Sequence, residues 1–170
     1  MLRFGLVLGG LACAPPVPEE SPLEGPGFDP VTGALTAEGE SFVVALTHLQ
    51  VRNLPGPGRR FGDHAQTIGN YLFEEEPAGW LGAAFRNVGR LDWWTITVWD
   101  SEQAMLEFVV SPPHAYAMAE FSDITVGGES RSIEIGPEAL PIPWSDALGQ
   151  LLSEPDFVHG DSDWYATEAP

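Results

Sequence analysis

Apolar and polar positions along the chain alternate between two periods, and the switches mark out its elements. Residues 42–51 are apolar on both faces, Phe42, Val44 and Leu46 on one and Val43, Ala45 and Leu49 on the other. That pattern predicts a strand buried on both sides. Residues 53–58 hold Asn53, Pro55, Gly56, Pro57 and Gly58 and predict a loop. Beyond it Phe61, Ala65, Ile68 and Leu72 recur at helical spacing, giving an amphipathic helix that ends near Glu74, Glu75, Glu76 and Pro77. Three glutamates oppose the macrodipole there, so fraying is expected. Residues 80–87 form a second strand, and Gly89 to Asp92 join it by a tight turn to a third, residues 93–99. Every residue of the third strand is aromatic or β-branched: Trp94, Ile96 and Val98 face one way, Trp93, Thr95, Thr97 and Trp99 the other.

Asp100 then opens a helical register with Gln103 as a capping-box partner, and Ala104, Met105, Phe108 and Val109 give this helix a wide apolar face. Ser111, Pro112 and Pro113 break it and start a fresh segment, with His114 in its first turn and Met118 and Phe121 following. Residues 130–136 alternate as a fourth strand, and residues 144–152 form a short helix with Ser145 or Asp146 near its start. Strand, helix, strand, strand, helix, strand is the ferredoxin-like α+β arrangement, an antiparallel sheet with its helices on one face, here with a short C-terminal helix added. The folded region is read as residues 41–152. Helices on one face leave the other face apolar and uncovered, and the expected cover is a second copy of the same sheet, hence a homodimer.

With 170 residues, 44% of them hydrophobic, the chain can bury one core. It carries 25 acidic residues against seven arginines and no lysine, a formal charge of −18. That balance excludes nucleic acid as a partner, because phosphate binding depends on cations. The acidity reads as a solvated surface.

The ends carry their own signals. Arg3 precedes a short apolar run that finishes at Gly10, Leu11, Ala12 and Cys13, the layout of a secretory signal peptide over residues 1–13. The sole cysteine at the end of that run resembles the acylated Cys of a bacterial lipoprotein. Ala12 and Ala14 equally satisfy the small-x-small rule of ordinary signal peptidase, and an incidental Cys13 is the third reading. Acylation at Cys13 would anchor the protein to a membrane by lipid alone, as a cell-envelope lipoprotein. Residues 14–40 mix six prolines with Glu19, Glu20, Glu24 and Asp29 and predict a disordered linker. Residues 153–170 form an acidic tail in which Phe157, Trp164 and Tyr165 can pack locally or meet a partner.

Candidate chemistry is sparse. His114, in the first turn of a helix, sits in a positive potential that favours neutral imidazole, able to take a proton or ligate iron. His48 closes the first strand on the Phe42, Val44 and Leu46 face and is the second candidate base. Trp93, Thr95, Thr97 and Trp99 suit a pocket for a flat aromatic ligand as well as they suit a dimer core. Arg86 and Arg90 can steer an anionic substrate or pair with local carboxylates. There is no CxxC, HExxH, P-loop, GxSxG or dinucleotide fingerprint, so zinc, flavin, NAD and serine-hydrolase chemistry have no support.

The stretch from Trp93 to Met118, a strand ending in Trp, an acidic/Ser cap, a helix and then Ser111, His114 and Met118, resembles the antibiotic biosynthesis monooxygenase-like superfamily of dimeric α+β barrels. The likeness is nearest to uncharacterised bacterial members allied to spheroidene monooxygenase. It implies a homodimer whose sheets close a barrel, a pocket between sheet and helices, and either cofactor-free or haem chemistry, with His114 the ligand if haem binds. Phe108 and Met118 stand where the haem-degrading branch has Trp and His, and the first strand has no Asn, so that active site is not carried over. The functional expectation is an exported oxygenase acting on a hydrophobic or aromatic small molecule. The alternative is a non-catalytic ligand-binding or interaction module at the cell envelope.

Overall fold

The computed structural model describes residues 22–89 and 91–160. The signal peptide, Cys13, Arg90, Trp164 and Tyr165 lie outside them. Strands β1 (Phe42–Val51), β2 (Trp80–Val88), β3 (Asp92–Trp99), β4 (Thr125–Ile135) and β5 (Phe157–His159) make one antiparallel sheet in the order β2-β3-β1-β4-β5. Helices α1 (Pro55–Glu75), α2 (Glu102–Val109), α3 (Pro112–Ala119) and α4 (Phe121–Ile124) fall within the βαββαβ order, and α5 (Trp144–Ser153) follows β4. The first four strands have the ferredoxin-like order expected from the sequence.

Local chemistry accounts for most boundaries. The Pro/Gly stretch after β1 is helical, not a loop: Pro55 takes the first helical position, where its missing N–H costs nothing, and α1 starts there. The α1 C-cap, Glu76, is left-handed at φ 46°, and Gly79 follows at φ 78°. A Cβ on Gly79 would strike the Asp100 carboxylate and Ala104, so the turn into β2 requires glycine twice over. The N-cap of α2 is Ser101, not Asp100: the Ser101 hydroxyl accepts from the Ala104 N–H at 3.3 Å and donates to Asp100. Gln103 bonds Glu107 one turn on at 2.8 Å, so the capping box is not formed. Ser111 and Pro112 do restart the chain as α3. Strand β4 begins at Thr125, five residues before the alternation that predicted it, and β5 turns the first part of the expected tail into an edge strand.

The sheet separates two apolar clusters. On the α1–α2 side, Leu72, Trp80, Ala83, Trp99, Ala104, Met105 and Phe108 pack over Val43 and Ala45. On the opposite face Phe42, Val44, Leu46, Trp94, Ile96 and Val98 meet Trp144, Ala147, Leu148 and Leu151 of α5 together with Leu23 and Phe28. These last two belong to the segment expected to be a disordered linker. From residue 22 that segment is an ordered strap: Glu24 exchanges both backbone hydrogen bonds with Ala83 of β2, and the Gly27 N–H donates to the Leu81 carbonyl at 2.8 Å. A turn then forms around the Asp29 carboxylate, which accepts from the Val31 and Thr32 amides and the Thr32 hydroxyl; these bonds hold it below the usual carboxylate range. The prolines did not prevent this, because Leu23, Phe28, Leu35 and Ala37 between them give the strap a buried side.

The strap and α5 correct the argument for a partner. Trp94, Ile96 and Val98 are 2, 1 and 0% exposed within a single chain. The sheet face expected to await a second copy is already covered.

Candidate functional site

The two faces of the sheet differ in access as well as in cover. On β1, Phe42, Val44, Leu46 and His48 are buried toward α5, while Val43, Ala45, Thr47 and Leu49 on the helix side are only half-buried. On β3, Trp93 and Thr95 of the helix side are likewise half-buried. β1 and β3 are inner strands, so their residues reach solvent only if the helix layer does not close over the middle of the sheet. We take this half-buried strip of Ala45, Thr47 and Thr95 as the floor of a candidate cleft on the helix side.

Its walls are aromatic. Phe61 of α1 lies on Trp93 with ring centroids 5.0 Å apart. Phe108 of α2 lies between Trp99 at 5.1 Å and His114 at 4.8 Å, and Tyr71 of α1 stacks beyond it at 6.3 Å. Of the four expected pocket residues, Trp93 and Thr95 are therefore accessible. Trp99 is fully buried beneath Phe108, with its indole N–H donated to the Thr97 hydroxyl at 3.0 Å, and both residues belong to the core.

His114 comes from the first turn of α3, placed by the break at Ser111 and Pro112. Its Nδ1 lies 3.0 Å from the Val109 carbonyl, which can only accept, so Nδ1 carries the proton and Nε2 keeps its lone pair. Burial pushes the His114 pKa down and the carbonyl bond partly restores it, so the ring is neutral near pH 7. This tautomer is able to take a proton or bind a metal.

The sequence missed a second histidine here. His64 follows Phe61 by three residues and precedes Ile68 by four, so it lies on the apolar stripe of α1; that spacing was the available signal. Its Nε2 is 3.2 Å from a Glu120 carboxylate oxygen, which Arg60 also approaches at 3.4 Å, and the Tyr116 ring meets it edge-on at 5.2 Å. The His64 contact first, and Arg60 after it, hold the Glu120 carboxyl below its usual range. The group ties α1 to the α3–α4 junction.

His48 and Arg86 do not join this cleft. In register His48 pairs Trp94 and Glu129, and Arg86 pairs Trp94, so all four share one row on the α5 side. His48 is 1% exposed and stacks on Trp94 at 3.6 Å and 8°. Its Nδ1 faces Glu129 at 3.3 Å and its Nε2 faces Asp92 at 3.5 Å. Glu129 escaped notice because β4 was read as starting one residue later. The two carboxylates address different ring nitrogens, so one ion cannot use all three groups, and among the described residues no cluster of three or more metal-ligating side chains occurs. Cavities on this face are an apolar void of ≈ 10 Å³ against Trp94, Trp144 and Leu151, and an open depression of ≈ 450 Å³ along Ile133, Ile135 and Ile142. Neither includes His48.

The neutral His114 and the acidic Glu120 titrate in separate windows. Below about pH 6.5 the unfolded chain protonates at His114 before the folded chain does, so stability falls as pH drops from there toward the lower folded value. Glu120 has the same sign in a lower window: its contribution is present above the unfolded carboxyl value of 4.5 and is lost as pH falls through the depressed folded one. Urea unfolding between pH 7.5 and 5.5 should therefore show a decline in wild type that flattens in His114→Gln; equal slopes would refute the assignment.

No family model matches the chain, and a search of curated proteins found no match. Among solved structures the chain is similar to a protein of unknown function from Nitrosomonas europaea, with TM-score 0.46 and 11% identity over 58% of this chain and 92% of that one. It is also similar to SnoaB, a cofactor-independent oxygenase from Streptomyces nogalater, with TM-score 0.38 and 11% identity over 57% and 92%. A third is a protein assigned as an antibiotic biosynthesis monooxygenase from Chloroflexus aurantiacus J-10-fl, with TM-score 0.43 and 14% identity over 56% and 92%. The likeness is one of chain path, and no residue role is taken from it.

Proposed function

We propose that the helix-side cleft binds a flat hydrophobic or aromatic small molecule, and that the domain is oxygenase-like, with His114 as the base that takes a proton from the bound substrate. The observation that carries this is the contrast between the two faces of the inner strands: toward α5 their side chains are buried, while on the helix side Ala45, Thr47, Trp93 and Thr95 are half-buried beside aromatic rings. A flat ligand there would stack against Trp93, and an apolar wall strengthens any polar contact made inside it. His114 offers the protonation state a base needs. Haem fits less well. The donor is suitable, yet Phe108 packs against His114 and is itself held by Trp99 and Tyr71, and no step is routed through a macrocycle.

A second reading, a binding module without catalysis, is favoured by one observation: His114 is oriented by a main-chain carbonyl and not by a carboxylate that would stabilise an imidazolium. Either version sits at the cell envelope if Cys13 is acylated. Cys13→Ala should then abolish membrane partitioning, and pelleting of that variant with membranes would exclude the anchor.

Tryptophan fluorescence titrated with quinones, polyphenols and haemin tests the site. Quenching by a planar quinone or polyphenol, weakened about tenfold or ~1.4 kcal/mol by Trp93→Ala, is the expected result. Absence of any response across the panel would sink the cleft as a site. Oxygen uptake that accompanies binding and is lost in His114→Ala supports catalysis, and binding without uptake supports the second reading.

A further inference from the structure

We propose that the strap and α5 occupy the place where a second subunit would pack, so that the protein is a monomer held in that state by its own terminal segments. A sheet of this kind can accept another copy on its uncovered face or at either edge strand. Here the face is covered and both edges are occupied in part in cis. The face is buried under Leu23, Phe28, Trp144, Leu148 and Leu151. At one edge Glu24 and Gly27 hydrogen-bond the outer side of β2; at the other, β5 pairs Gly128, Glu129 and Ser130 of β4.

The docking is built into the sequence. Gly25 has φ 152°, and a Cβ there would fall on the Gly82 Cα and the Leu81 carbonyl; one on Gly27 would meet the Leu81 side chain at 2.7 Å, and one on Gly82 would meet the Phe28 ring at 2.7 Å. Three glycines thus let strap and strand approach more closely than side chains permit. At the far end of the face, Arg131 donates to the Gln150 carbonyl at 2.8 Å and the Ser153 hydroxyl at 3.0 Å, fastening the end of α5 to β4. Asp156 then accepts from the Ser132 amide at 2.7 Å, which sets the entry into β5. Each cleft is accordingly complete within one chain, whatever it binds.

Light scattering after size exclusion, on the full chain with Cys13→Ser to remove the acylation site, decides the matter. A mass near the single-chain 18.4 kDa, unchanged over a roughly hundredfold dilution, is expected. A wild-type dimer, including one formed through the exposed Leu106, Val110 and Tyr116 of the helix layer, would overturn the proposal. Leu23→Asp with Phe28→Asp should free the strap, seen as faster proteolysis before residue 40, and convert the folded protein to a dimer. A folded variant with a freed strap that stays monomeric would refute the substitution of strap for subunit. Gly25→Val with Gly27→Val repeats this arm without placing charge in the core.

Discussion

Truncating Glu129 to alanine is expected to lower the unfolding free energy by about 3 kcal/mol or more, among the largest effects of any polar substitution in the chain. Glu129 is 6% exposed and faces the Nδ1 of His48, which is itself 1% exposed and clamped against Trp94. Removing the carboxyl leaves a buried ring nitrogen facing an emptied space that water cannot readily enter, and the full desolvation penalty then applies. Glu129→Gln should cost less, since its amide oxygen still accepts from Nδ1. Replacing both partners together, His48→Leu with Glu129→Met, should restore much of the loss, because an apolar pair has no unmet hydrogen bonds. Urea unfolding with the slope held constant gives all four values. A Glu129→Ala cost under about 1 kcal/mol would show that the pair is not the clamp between β1 and β4 that its geometry indicates.

This row also shows why the sequence was only partly legible. Strand β3 was readable because seven successive aromatic or β-branched residues leave no other local choice, and the break at Ser111–Pro112 because proline admits only one position in a helix. What could not be read was which face each strand shows to which cover. Periodicity assigned Trp94, Ile96 and Val98 to one face correctly, yet it said nothing of what lay on that face, and the covering segments gave weak signals. The strap looks like a linker by its prolines and acids, and its buried side is spread over Leu23, Phe28, Leu35 and Ala37, too sparse for any period. Phe157 to His159 are too few to register as a strand. The separation of His48 from His114 has the same cause: the β1 alternation puts His48 with Leu46, and only the position of α5 shows that the side chains of this row are buried.

Trp99→Ala and Trp93→Ala should separate core from site, although the two residues share a strand and a face. Trp99 is fully buried, packed on Phe108 and tied to Thr97, so its loss opens a cavity under α2 and should cost about 3–5 kcal/mol. Trp93 is half-buried and meets Phe61 at the accessible end of the cleft, so its truncation should cost about 1 kcal/mol, near the mean for point substitutions. Ligand quenching should follow the reverse order when both variants are compared at a temperature where each remains folded. Trp99→Ala that folds should retain affinity within a few-fold, because Trp99 lies beneath Phe108 and not on the cleft surface, whereas Trp93→Ala should bind about tenfold more weakly. Equal stability losses in the two variants would show that Trp93 belongs to the core, and equal losses of affinity would place the ligand deeper between sheet and helices than the accessible floor at Thr47 and Thr95.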